Sequence, residues 1–219
     1  MNILHYLSIL YTCAVNSERL SQAQRQERTR GLLISTAQQL LAENNLDLPI
    51  SKICESAGVA VGSFYNYFES KSHLFDRSAI QLLLDFHPKL QKIVDRFDDP
   101  GQGIIASFRH MAHLAKIDPR MARIIVHAGP GAFTDYSEYG APVIAALQTS
   151  VAQGGARCDD VMGFLVALSG AYQNILAFSL QDPNFDESQA DRGIAIFANA
   201  LGYPKEVVER LCFGPVELP

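Results

Sequence analysis

The sequence predicts an all-α chain with a helix-turn-helix near its N-terminal end, and three observations carry that expectation. Apolar residues recur at three- and four-residue spacing, no stretch alternates convincingly as a strand would, and turn residues cut the pattern into separate segments. With 219 residues, 48% of them hydrophobic and 19% charged, the chain can build a packed core and is too apolar to be disordered. Its four cysteines, at 13, 54, 158 and 212, form no CxxC pair. Neither a disulfide framework nor a structural zinc site is therefore expected, and a cytoplasmic setting is.

The elements follow in order. A first helix begins near residue 25, carries Leu33, Thr36/Ala37 and Leu40/Leu41 on one face, and ends at Asn44-Asn45. A short second helix turns Ile50, Ile53, Cys54 and Ala57 inward, and beyond Gly58 a brief third helix surrounds Phe64. The long fourth helix starts at Ser70-Lys71, with Ser70 or Glu69 placed to cap it. Pro88 is expected to end or kink that helix. Asp98-Asp99-Pro100-Gly101 breaks the chain before a helix from about Gly103 to Lys116, and Asp118-Pro119 starts another. Gly129-Pro130-Gly131 opens a loop containing Phe133, Tyr136 and Tyr139. Helices near 142–153, 159–181, 188–201 and 204–212 complete the chain.

Two segments are apolar enough to raise the question of a membrane. Ile3 to Val15 lacks the positively charged start of a signal peptide, because the first basic residue is Arg19. Val161 to Gln181 has the length of a bilayer span, yet it carries Ser169, Gln173, Asn174 and Ser179 and is flanked by acidic residues. A helix packed between protein surfaces fits it better, and no membrane partner is expected.

Residues 49–68 are more than a pair of helices. Gly58 can adopt a left-handed turn conformation, Cys54 is the small residue four places earlier, and Ile53, Ala57, Val59 and Phe64 supply buried contacts. Projected at 100° per residue with Phe64 inward, Ala60, Val61, Tyr67 and Phe68 fall toward the core, Gly62 and Asn66 point away, and Ser63 and Tyr65 flank them. A face of Gly, Ser, Asn and Tyr suits a DNA major groove: Gly62 permits close approach, Asn66 can read an adenine edge, and the hydroxyls can reach phosphates or bases. Lys71 at the next helix start would add a phosphate contact.

From about Gln26 to Asp85, and above all from Gly58-Val59 through Gly62-Ser63-Phe64-Tyr65-Asn66-Tyr67-Phe68-Glu69-Ser70-Lys71, the chain resembles the DNA-binding domain of the TetR family of bacterial repressors. The resemblance implies a three-helix DNA-binding domain over 25–85, an effector-binding and dimerisation domain over 86–219, a homodimer, and no cofactor. Carried over by position, it places Ser51, Lys52, Ser63, Tyr65, Tyr67 and Lys71 at positions that commonly contact operator DNA. Ala60 and Val61 stand where the family often has a hydroxyl residue followed by a basic or polar one, so fewer polar contacts are expected there. Residues 1–24 do not fit the design; they are either an ordered extension packing on the dimer or an artefact of the chosen start or of cloning.

Weaker signals divide the rest. Gly163, Ala167, Gly170 and Ala171 on the uncharged helix would let a partner helix approach, with Ile194, Phe197 and Leu201 on the following one, giving a four-helix dimer interface. The alternative is that 161–181 is the monomer's central core helix. Phe108, Met111, Phe133, Phe164 and Tyr172, with His110 and His127 as polar handles, are the candidates for an effector pocket that would take a small, largely apolar ligand. His110 and His113 lie three apart, a spacing compatible with a metal, but no third ligand is evident, so no metal site and no catalytic residue is expected.

The expected function is thus a ligand-responsive repressor rather than an enzyme. Two alternatives are an architectural DNA-binding protein without an effector and a helical metal-dependent enzyme. The net charge of −5 does not oppose DNA binding: residues 1–77 hold seven basic and seven acidic residues, so the deficit lies entirely beyond them.

Overall fold

The computed structural model describes residues 21–128 and 140–217. The extension, apart from its last four residues, and the loop bearing Phe133, Tyr136 and Tyr139 lie outside the described residues. Helices α1 (Gln22–Ala42), α2 (Ile50–Ala57), α3 (Val61–Phe64) and α4 (Lys71–Val94) come first. They are followed by α5 (Pro100–Ala112), α6 (Leu114–Ile117), α7 (Pro119–Ala128), α8 (Ala141–Ala152), α9 (Val161–Gln181), α10 (Glu187–Ala200) and α11 (Lys205–Phe213), with no strand among the described residues.

Local chemistry sets the boundaries. Ser21 and Gln24 form a reciprocal capping box at the start of α1. Ser70 caps α4 by accepting from the His73 amide, and Asp99, Asp160 and Asp186 cap α5, α9 and α10 in the same way. Gly58 closes α2 at φ 66°, ψ 31°, and the Val59 amide reaches back to the Cys54 carbonyl at 2.9 Å. That is the left-handed helix ending for which glycine is the low-strain residue.

Leu33, Ile53, Cys54, Phe64, Phe68 and Leu74 are buried together and tie α1, α2, α3 and the start of α4 into one unit. α1 packs on α4 and also on α7, so the N-terminal unit rests directly on the larger helical body. α4 does not end at Pro88; the proline lies inside a helix that continues to Val94. It removes one helical hydrogen bond without stopping the helix, because flanking buried residues such as Leu83 and Leu90 hold both sides.

The central helix of the body is α5, not the apolar 161–181 segment. Almost every residue of α5 is buried, from Gly103 through Ala112. A Cβ on Gly103 would sit 2.7 Å from the Val94 Cα, so glycine here lets α5 pass against the end of α4. The expected helix to Lys116 is broken at His113, which separates α5 from α6. α9 is long and apolar enough to cross a membrane by length and composition. Leu165, Leu168, Tyr172 and Leu176 turn into the body, while Met162, Val166 and Phe178 are exposed.

Candidate functional site

In the helix-turn-helix, Ser51 and Lys52 open α2 on its exposed side, and Lys52 holds Glu55 at 2.7 Å. Gly62 and Asn66 are exposed, Ser63 is half-buried, and Tyr65 is 60% exposed with its ring set edge-on against Phe64. Tyr67 is half-buried against the core, and Phe68 is buried. Two residues depart from the projected wheel: Ala60 and Val61 are exposed rather than core-facing, Val61 by 43%. The reason is the length of α3. It runs only from Val61 to Phe64, with Ala60 as an extended cap residue and turns from Tyr65 onward, so a continuous 100° projection does not hold at either end.

Lys71, expected at a phosphate, has a post within the protein as well. Its half-buried Nζ donates to the carbonyl oxygens of Leu46 at 2.8 Å and Leu48 at 3.3 Å. The lysine thereby fastens the loop between α1 and α2 to the start of α4. In the first turns of α1, Arg25 and Arg28 are exposed ahead of the first buried residue, Leu33.

In the helical body, the expected pocket residues are dispersed. Phe108 and Met111 line a cavity of about 30 Å³ together with His87, Leu90, Gln91, Val94, Ser107 and Val143. Of the other candidates, His110, His127, Phe164 and Tyr172 do not line it, and Phe133 lies outside the described residues. Tyr172 packs edge-on against Phe108, and Phe164 against Phe197. His127 is half-buried on α7. His110 stacks on Phe86 of α4, and its Nδ1 lies 2.9 Å from the Glu217 carbonyl oxygen. Burial holds His110 below its ordinary value; the Glu217 carbonyl opposes the shift and neighbouring His113 adds to it.

Both histidines of the pair are engaged in contacts within the body. Arg109, only 4% exposed, places Nε 2.7 Å from Asp191 Oδ1 and donates to the carbonyls of Leu211, Gly214 and Pro215. His113 Nε2 lies 2.7 Å from the same Asp191 oxygen. Burial raises the Asp191 carboxyl, but the hydrogen bonds and charges of Arg109 and His113 outweigh it and hold the group below its usual range. Among the described residues no three His, Cys, Asp or Glu side chains gather as metal ligands.

The expected dimer residues divide into two sets. Gly163 and Ala167 are exposed, Gly170, Ala171 and Phe197 are half-buried, and Ile196 of α10 is 66% exposed. Ile194 and Leu201 are fully buried in the monomer. They face inward because α10 turns Ala190, Ile194 and Ala198 toward the body, so those two belong to the core and not to a subunit surface.

The model for bacterial regulatory proteins of the tetR family matches residues 33–77. No curated protein matches the chain. Among solved structures, RolR in complex with resorcinol is similar over 90% of this chain and 100% of its own, at 22% identity and TM-score 0.70. FadR from Bacillus subtilis in complex with stearoyl-CoA is similar over 84% and 98%, at 19% identity and TM-score 0.54. A TetR-family transcriptional regulator from Pectobacterium atrosepticum is similar over 85% and 100%, at 18% identity and TM-score 0.60. These identities carry a shared fold.

Proposed function

We propose that this chain, which belongs by its N-terminal domain to the TetR family of bacterial regulatory proteins, is a homodimeric cytoplasmic repressor that leaves its operator when a small, largely apolar effector binds the helical body. The observation that carries the reading is the exposed face around α3, where Gly62, Tyr65 and Asn66 stand clear of a core closed by Phe64 and Phe68, with Ser63 half-buried beside them. Two such faces, related by a two-fold axis, would enter major grooves about one DNA turn apart.

Two features support a subunit contact and an effector. The exposed apolar residues Met162, Val166, Phe178 and Ile196 lie on adjacent packed helices, and a second copy would cover them. The cavity at Phe108 and Met111 takes four of its lining residues from α4, the helix that also begins beside α3. RolR, which was solved with resorcinol, makes a small hydroxylated ring the first effector class to test.

At about 30 Å³ the cavity holds little more than a water, whereas a benzene-sized ligand needs about 150 Å³. Entry therefore requires the wall to move, and a ligand that binds only the widened state shifts the population toward it. The small volume of this cavity, though not of the more open clefts of about 370 Å³ beside Phe178 and about 280 Å³ beside Ile124, favours a second reading, an architectural DNA-binding protein that needs no effector.

The test is selection of bound duplexes from a random pool, repeated with Tyr65→Ala and Asn66→Ala. A two-fold symmetric site is expected, bound more weakly by both variants; unchanged enrichment in both would move the reading face elsewhere. Titrating phenols against the selected site separates the two readings, because only a repressor with an effector releases it.

A further inference from the structure

Two adjacent residues at the start of α3 have no explanation inside the molecule. Val61 is 43% exposed, whereas Val59 two positions earlier is half-buried against the core. A β-branched residue also gives a four-residue helix little propensity. Gly62 is exposed, its backbone is helical and not left-handed, and a Cβ built on it would meet nothing within 4 Å. Neither turn geometry nor packing requires glycine there, and glycine disfavours a helix by about 1 kcal/mol relative to alanine. Both residues become intelligible if something outside the protein comes close to this point.

Resting on the DNA-binding reading above, we infer that Val61 determines operator sequence by packing on the C5 methyl of a thymine, and that Gly62 provides the clearance for it to do so. The side chains of Ala60, Val61 and Gly62 carry no hydrogen-bond donor or acceptor. In the major groove, the one feature that such side chains can distinguish is the thymine methyl, since every other difference between base pairs is a donor or an acceptor. Polar readout then falls to Asn66, with Ser63 and Tyr65 beside it. Each half-site therefore contains a thymine whose methyl is read from the first turn of α3, close to the base that Asn66 reads.

Replacing thymine by deoxyuridine removes that methyl and nothing else. The experiment takes the site selected by the full-length protein and substitutes deoxyuridine at each thymine in turn, with affinity measured by fluorescence anisotropy. One position in each half-site is expected to lose about fourfold, the effect of one buried methyl group, and about fifteenfold when both half-sites are substituted. Val61→Ser should bring the thymine-to-deoxyuridine ratio at that position close to one, whereas Asn66→Ala should weaken binding and leave the ratio intact. Gly62→Ala should lower affinity for all duplexes alike without lowering thermal stability.

A selected site with no deoxyuridine-sensitive thymine, or with a sensitivity that persists in Val61→Ser, overturns the inference and leaves the DNA-binding reading standing. A pool that yields no enriched site overturns both.

Discussion

Asp191→Ala should be among the more damaging single substitutions available outside the DNA-binding unit. Arg109 is 4% exposed, and its guanidinium is neutralised by the Asp191 carboxylate at 2.7 Å, with the carbonyls of Leu211, Gly214 and Pro215 as its further acceptors. Removing the carboxylate leaves a buried cation facing neutral carbonyls, a loss of about 3–5 kcal/mol for such pairs. Because Asp191 is 16% exposed and the carbonyls persist, the lower end, about 3 kcal/mol, is expected. For a chain of this size that is a fall in Tm of roughly 6–12 °C, to be read by circular dichroism alongside urea denaturation. The pH dependence gives an independent check. The carboxyl is held below its ordinary value of 3.8, so its contribution is full above that pH and is lost as the pH falls through the depressed value. Wild type and variant should therefore converge in acid. A variant within 1 kcal/mol of wild type at pH 7 would refute the reasoning.

Three further outcomes are expected. Pro88→Ala restores a helical hydrogen bond inside α4 and should stabilise the chain by about 1–3 kcal/mol in urea denaturation, while weakening any release of DNA by effector. Burial holds His110 and His127 below 6.5, so the unfolded chain takes up protons first: stability should be full above about pH 6.5 and fall below it, with a shallower slope in His110→Gln. Ile196→Arg, at an exposed position on α10, should shift the protein from dimer to monomer in analytical ultracentrifugation with little change in helicity.

The elements were legible because punctuation and periodicity agree in this chain. Asp99-Pro100, Asp118-Pro119 and Gly202-Tyr203-Pro204 mark true ends, and Gly58 is left-handed as its place after an amphipathic turn predicts. What escaped depends on long-range packing. Pro88 left an end and a kink both open because a local rule sees only the lost amide; the helix runs on through it because α4 is held on both sides. Ile194 and Phe197 look equivalent in sequence, yet one is buried in the monomer and the other half-buried, a distinction that only the packing of α10 creates. Lys71 reads as a surface cation because nothing in its neighbourhood announces the carbonyls of residues 46 and 48.

The clamps at the far end of α4 restrict how an event in the cavity can reach α3. Phe86 is stacked on His110, Val94 lies against the Gly103 gap, and Arg96 just beyond the helix pairs with Glu217 at 2.8 Å. That end is therefore fixed to α5 and to the C-terminal segment, while the N-terminal end of α4 is built into the DNA-binding core through Leu74. A ligand pressing on His87, Leu90, Gln91 and Val94 cannot simply slide the helix along its axis without breaking these contacts. Two routes remain: bending at Pro88, where the hydrogen-bond ladder is already interrupted, or displacement of α7, which packs on both α1 and α4. Pro88→Ala distinguishes them, since a helix made continuous there should lose the first route and leave the second unchanged.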